Sequence, residues 1–208
     1  MFYILLKYLT LYGLFSVCTC VELGSFEPHQ IAIVQFDTRP LGDYWESAAR
    51  WNLHYCSLHG HRFLYFQLDG QCTYDGERLA SPWCKVRAMI QANEQFPDIS
   101  LFLYLDSDAV VDIAYRDTSL VTYVAMMQQE LKWSIFEKPL LFNQDGPCWW
   151  CNLIERVGYS MCLNAGTVMW YRHPLSEQLL HTWWHASMHS YVGNPLKRYG
   201  AAFVFVYC

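Results

Sequence analysis

The segment Ser100 to Leu105 (SLFLYL) is an unbroken apolar run that ends directly in Asp106-Ser107-Asp108. A short apolar run bounded by turn-forming residues reads as a strand buried on both faces, and strands of that kind belong to sheets covered by helices. The residues upstream supply the rest of such a sheet. Ile31 to Phe36 (IAIVQF) is a β-branched run closed by the turn-forming DTRPLGD. Asp43 is an N-cap candidate with Glu46 three residues later, and Gly60 is a glycine stop, which predicts a helix between them. His61 to Gln67 (HRFLYFQ) is strand-like, and Pro82 to Phe96 predicts a helix with proline in its first turn. Strand, helix, strand, helix, strand is the order that requires crossover connections, so the expected class is an α/β sandwich built on a parallel sheet. Leu163 to Tyr171 reads as one more strand, and Pro174 to His189 as a helix rich in Trp and His.

Composition excludes two function classes. The 208 residues are 53% apolar, 17% aromatic and 16% charged, with a formal charge of −5. Intrinsic disorder needs low hydrophobicity, and a binder of nucleic acid needs a basic face to neutralise phosphates. One globular domain is expected. The first 21 residues are set apart: 16 are apolar and only Lys7 is charged. They read as a secretory signal peptide, cut before secretion, or as an uncut signal anchor holding a lumenal domain to the membrane. The alternative is a buried helix of a cytosolic protein. The expected organisation is residues 1–21 for targeting, 22–30 as a short junction and 31–208 as the domain. Seven cysteines follow the targeting segment, and in an oxidising lumen some would pair, with connectivity that spacing does not reveal.

Asp106 and Asp108 carry the sharpest chemistry. Residues i and i+2 of an extended segment project to one side, so both carboxylates can converge on a hard divalent cation that also holds a diphosphate. Open α/β sheets bind ligands beyond the carboxyl ends of their strands, where SLFLYL delivers this pair. An isolated D-x-D also arises as a turn or a cap. Here the flanking apolar residues, through Ala109-Val110-Val111, place both charges in an otherwise buried stretch, where unpaired charge is costly.

The stretch WCKVRAMIQANEQFPDISLFLYLDSDAVVDIAY (Trp83 to Tyr115) resembles the central block of the GT-A glycosyltransferases of family 34, the galactomannan galactosyltransferase and xyloglucan xylosyltransferase family. NLHYCSLHGHRF (Asn52 to Phe63) resembles that family's N-x-x-Y-C-x-x-H-G segment, and LNAGTVMWYRHPLSEQLLHTWW (Leu163 to Trp184) its L-N-x-G-x-x-x-x-R segment, in the same order. The resemblance implies a GT-A, Rossmann-like fold. It also implies a retaining, metal-dependent transfer of a hexose or pentose from a nucleotide sugar, UDP- or GDP-linked, to a glycan acceptor, with the Golgi lumen as the site of action. Asp106 and Asp108 would hold Mn²⁺ or Mg²⁺. Gln35, Asp37, Arg39, Lys85 and Ser107 would bind the donor, and Asn164, Ala165 and Gly166 would form a turn that lets the chain approach the sugars. Each also has a plainer role: Lys85 as a solvated helix residue, Asp37 and Arg39 as a surface turn pair, Gly166 as the residue a bend requires.

The resemblance stops before the end of the chain. The family continues into an acidic segment and a later histidine that completes the metal shell, whereas this sequence reads NPLKRYGAAFVFVYC to Cys208. The expectation is therefore a GT-A domain incomplete at its C-terminus, with no catalytic acid or base to name. The alternative function is a catalytically inactive, truncated relative that binds nucleotide or carbohydrate. A glycoside hydrolase would need two carboxylates on opposite sides of the scissile bond, which two residues so close in sequence do not provide.

Other constellations read as structural. Cys148-Trp-Trp-Cys151 lacks the second pair of a zinc site and the thioredoxin-like context of a redox dithiol, which leaves a disulfide or buried thiols. His181, His185 and His189 recur every four residues beside Trp183 and Trp184, the pattern of a packing helix with a polar edge; metal ligation by one of them is the alternative. The tryptophans Trp83, Trp133, Trp149, Trp150, Trp170, Trp183 and Trp184 suit either a core or a sugar cleft.

Overall fold

The computed structural model describes residues 26–40, 42–67, 72–79, 81–131, 134–144 and 163–191. Along the chain run β1 (Ile31–Asp37), α1 (Asp43–His59), β2 (Arg62–Gln67), a small hairpin of β3 (Thr73–Tyr74) and β4 (Glu77–Arg78), α2 (Ser81–Gln95), β5 (Leu101–Leu105), α3 (Leu120–Leu131), β6 (Leu140–Gln144), β7 (Leu163–Tyr171) and α4 (Pro174–Tyr191). The expected strands and helices of the first half are all present. The cap of helix α1 lies one residue earlier than anticipated: Gly42 takes the cap position and Asp43 is the first helical residue. Gly60 stops it in the left-handed conformation, φ 70°, that glycine adopts without steric cost.

The sheet order is β2-β1-β5-β7-β6. Strand β1 lies parallel to both β2 and β5, as the alternation of strands and helices predicts. Strand β7 is antiparallel to β5 and to β6, so the sheet is mixed rather than parallel throughout. The physical reason lies in the connections: the first three strands are joined by helices that cross back over the sheet, and a strand arriving by a different route is free to enter in either direction.

Side chains alternate along the strands and build one core on each face. Ala32, Val34, Phe36, Phe102, Tyr104, Val168 and Trp170 meet α2 and α4, with Phe102 stacked on Trp170 at 4.7 Å between ring centres. Ile31, Ile33, Leu101, Leu103, Leu105 and Met169 meet α1 and α3. Every residue of β1 and β5 is buried, so these two strands form the rigid centre. His61 is buried neutral at the edge of the second core: its Nε2 accepts from the Leu120 N–H and its Nδ1 donates to the Pro28 carbonyl, and burial lowers its pKa.

Trp83, Trp170, Trp183 and Trp184 are all core residues, so these four do not line a cleft, and α4 is a packing helix as its sequence suggested. Trp133, Trp149 and Trp150 lie outside the described residues, as do residues 1–21, Cys148-Trp-Trp-Cys151 and the sequence after Tyr191. No described helix is long and apolar enough to cross a membrane. Cys72 and Cys84 form a disulfide that ties the β3–β4 hairpin to the first turns of α2, and Cys56 is a buried thiol.

Candidate functional site

Asp106 is the first residue beyond β5, at the carboxyl end of the central strand. Its backbone N–H donates to the Gly166 carbonyl at 2.8 Å, and the Ala109 N–H returns to the Asp106 carbonyl at 2.9 Å, closing a tight turn over Asp106 to Ala109. The two carboxylates of this turn live in different surroundings. Asp106 Oδ1 accepts from Lys85 Nζ at 2.7 Å and from the Tyr104 hydroxyl at 2.9 Å. Asp108 is exposed and, among the described residues, has neither a hydrogen bond nor an ion pair.

Lys85 is not a solvated helix residue. It projects from α2 into the buried side of the site, 9% exposed, and its ammonium also donates to the Ala165 carbonyl at 3.2 Å. A buried ammonium needs such partners, since an unpaired one would lose far more in solvation than packing returns. Tyr104 is held protonated as a donor, because burial and then the Asp106 charge push its pKa well above the ordinary phenol value.

Asn164, Ala165 and Gly166 do not form a turn. They belong to β7, at an irregularity where the register against β6 jumps: Phe142 faces Val168 while Asn143 faces Asn164. Residues 165–167 are therefore extra on the β7 side, and strand bulges of this kind redirect backbone groups. Here the redirected carbonyls are those used by Lys85 and Asp106.

On the other face of the turn, Asp37 and Arg39 form a two-point pair: Arg39 Nε and a terminal nitrogen donate to the Asp37 carboxylate at 2.9 and 2.6 Å, and the Arg39 backbone N–H adds a third bond at 2.7 Å. Burial alone would raise the Asp37 pKa, but the bonds from Arg39 and Ser107 outweigh it and hold it at about 2. Arg39 also donates to Ser107 Oγ at 3.1 Å and lies over the Trp45 ring at 4.0 Å. Ser107 is thus gripped from the end of β1 and the loop that follows it, whereas Asp106 is gripped from α2. Gln35 is fully buried, and its amide nitrogen donates to the carbonyls of Asp106 and Ala109, so its contacts are with the turn backbone.

Sequence reading missed Tyr104, hidden in an apolar run, and Asn52, which bonds the turn from α1. Asn52 did leave a trace. Ala48, Ala49, Asn52, Tyr55 and Cys56 are the buried stripe of α1 at helical spacing, and a carboxamide in such a stripe needs an internal partner.

A five-stranded mixed sheet with helices on both faces, and an acidic pair at the carboxyl end of its central strand, is an architecture of the GT-A-like α/β class. Residues 35–199 match the sequence profile of the galactosyl transferase GMA12/MNN10 family, and the chain belongs to that family. No curated protein sequence matches it significantly. Among solved structures it is similar to a glycosyltransferase involved in the glycosylation of the major capsid of PBCV-1, with a TM-score of 0.52 and 19% identity. That alignment covers 74% of this chain and 65% of the viral protein, so the chain spans a little less than two thirds of its length. At that identity the likeness establishes the GT-A-like fold.

Proposed function

We propose that this chain is a metal-dependent glycosyltransferase that moves a hexose or pentose from a nucleotide sugar to a glycan acceptor, with retention, in the secretory pathway. Membership of the galactosyltransferase family supports the reaction class. The observation that carries the reading is the unequal pair at the end of β5: Asp106 braced by Lys85 and Tyr104, and Asp108 exposed with no partner among the described residues.

The donor set suits a hard cation. Asp106 and Asp108 offer oxygen ligands only, as Mn²⁺ or Mg²⁺ prefers, and the described residues add no third His, Cys, Asp or Glu to them, so the protein would supply only part of the coordination shell. Water and diphosphate oxygens would fill the remaining positions. The cation's contribution when bound is to neutralise charge on the departing nucleoside diphosphate.

The chain's own residues do the rest. Lys85 and Tyr104 fix one oxygen of Asp106, which leaves the other as the ligand. Arg39, half exposed beside Ser107, presents a guanidinium able to meet a phosphate or ribose oxygen. Asp37 keeps that guanidinium aimed. Ala165 and Gly166 bring backbone close to Asp106, where a sugar would lie between donor and acceptor. The Cys72–Cys84 disulfide favours an oxidising compartment, and with the apolar N-terminal segment it supports a Golgi membrane location with a lumenal domain.

Titrating the full chain, solubilised in detergent, with UDP and GDP in the presence and absence of Mn²⁺ tests this. Manganese-dependent binding that disappears in Asp106→Ala and Asp108→Ala is expected. Absence of binding in the native protein overturns the donor-site reading, and donor binding without any transfer to glycan acceptors assigns the chain to the inactive relatives.

A further inference from the structure

Beyond Leu105 the chain leaves the sheet, and apart from the Asp106 N–H, which still reaches the Gly166 carbonyl, its backbone groups turn to side-chain and turn partners. Buried peptide groups must be paired, and the partners at residues 106, 109 and 111 are specific side chains. The Asp106 carbonyl accepts from Ala109 N–H and from Gln35 Nε2, both at 2.9 Å. The Ala109 carbonyl accepts from Gln35 Nε2 at 3.1 Å and from Asn52 Nδ2 at 2.9 Å. The Val111 N–H donates to Asn52 Oδ1 at 3.0 Å, and the Val111 carbonyl accepts from Trp51 Nε1 at 2.8 Å. The Asn52 carboxamide therefore donates to residue 109 and accepts from residue 111, as the peptide of a neighbouring strand would. One nitrogen of Gln35 spans both ends of the Asp106 to Ala109 turn.

We propose that Asn52, together with Gln35, is a positioning residue of the donor site: the two carboxamides hold the Asp106–Val111 backbone and thereby set where Asp108 stands relative to Asp106. The inference rests on the reading of these carboxylates as the ligands of the cation and diphosphate. It follows from a contrast within the turn. Asp106 is fixed by its own side-chain bonds, whereas Asp108 has none among the described residues, so its place is inherited from the backbone that carries it. That backbone is held by side chains from β1 and α1 that have no exposed surface. Packing alone does not account for them. A leucine at position 52 would fill the same stripe of α1 without the cost of a buried amide, and among the described residues Gln35 leaves its own Oε1 without a partner while spending its nitrogen on the turn.

The test compares Asn52→Leu, which keeps the branched four-atom shape with slightly more bulk and removes both bonds, with Asn52→Asp, which keeps the acceptor for Val111 N–H and removes the donor. Ile99→Ala, two residues before β5 and so beyond its opposite end, serves as a core lesion away from the turn. Full-length variants in detergent are titrated with Mn²⁺ at fixed UDP, and hydrogen exchange is followed in peptides covering residues 106–112. Both Asn52 variants are expected to weaken manganese-dependent UDP binding about 10- to 100-fold, the range for groups that orient metal ligands, and to speed exchange in 106–112. Ile99→Ala is expected to lower the melting temperature yet keep UDP·Mn²⁺ affinity within about twofold, as distant sites act independently. Should Asn52→Leu fail to fold, Asn52→Asp and Gln35→Leu carry the same comparison. Native affinity and native exchange in the folded Asn52 variants overturn the proposal. Failure of the donor-site reading looks different, because then the native protein itself shows no manganese-dependent UDP binding, and the positioning role falls with it.

Discussion

Two ion pairs flank the strand-end turn, and they are built in opposite senses. In Lys85–Asp106 the cation is the enclosed partner, with side-chain exposures of 11% and 37%. In Arg39–Asp37 the carboxylate is enclosed, at 4%, and the guanidinium is 47% exposed. In each pair the enclosed member anchors and the open member is offered to the crevice. One flank thus presents a negative oxygen, fit for a cation, and the other a positive fork, fit for a phosphate, with Ser107 between them. A surface ion pair would contribute little and point nowhere; these two contribute direction.

The contrast predicts that removing the open member costs more stability than removing the anchor's charge, because the anchor is left enclosed and unpaired. Asp106→Ala is the largest expected effect. It strands the Lys85 ammonium and should destabilise by about 2 kcal/mol, below the range for fully buried pairs because Asp106 is partly solvated. It should also abolish manganese-dependent UDP binding. Asp108→Ala should abolish the same binding with no change in denaturant midpoint, and a matching stability loss in the two variants would break the distinction between the carboxylates.

Arg39→Ala comes next, at about 1–2 kcal/mol, since Asp37 keeps the backbone N–H of residue 39 and Ser107 as partners. Its pH dependence is the sharper readout. In the native protein Asp37 has a pKa lowered from 3.8 to about 2, so its contribution is present above pH 3.8 and is lost as pH falls through about 2. With the side chain of Arg39 gone, burial acts against fewer opposing bonds and the folded pKa should rise. Urea melts between pH 2 and 7 should then show the acid-side loss shrinking or reversing in Arg39→Ala.

Lys85→Met should be the mildest for stability, about 1 kcal/mol, because Asp106 retains water and Tyr104. Removing the ammonium also removes a repulsive charge, so Mn²⁺ alone should bind somewhat more tightly. Weaker UDP binding alongside unchanged or tighter Mn²⁺ binding in this variant would give Lys85 a diphosphate contact in addition to its pair with Asp106.

The parallel half of the sheet was legible in the sequence because its strands are apolar runs and its helices carry proline and glycine signals at their ends. The other half was not. The direction of β7 is absent from LNAGTVMWY, since period and composition are the same for a strand running either way. LLFNQ of β6 is short, and α3 (LVTYVAMMQQEL) exposes Tyr123 and Met126, which blurs its apolar stripe. At the site, the residues with charge announced themselves and their supports did not. Tyr104 looked like core because it is core, with one hydroxyl turned to Asp106. The disagreement at Ala165 and Gly166, a strand irregularity in place of a turn, arose because a small-residue run signals close backbone approach without specifying its geometry.

Strand β5 has no partner that is near it in sequence. Leu101 pairs with Ile31 on one side and with Tyr171 on the other, so the centre of the sheet is assembled from the two ends of the domain. Closing such long loops costs chain entropy before any pairing is gained, so the central strand is among the most non-local parts of the fold. The Asp106 turn shares that dependence. Its carbonyls are held by Gln35 and Asn52 from the early part of the chain, and its amide and lysine by Gly166 and Ala165 from the late part. Neither half of the protein alone can assemble the carboxylate pair, so amide protection at Asp106 should report the integrity of the whole domain.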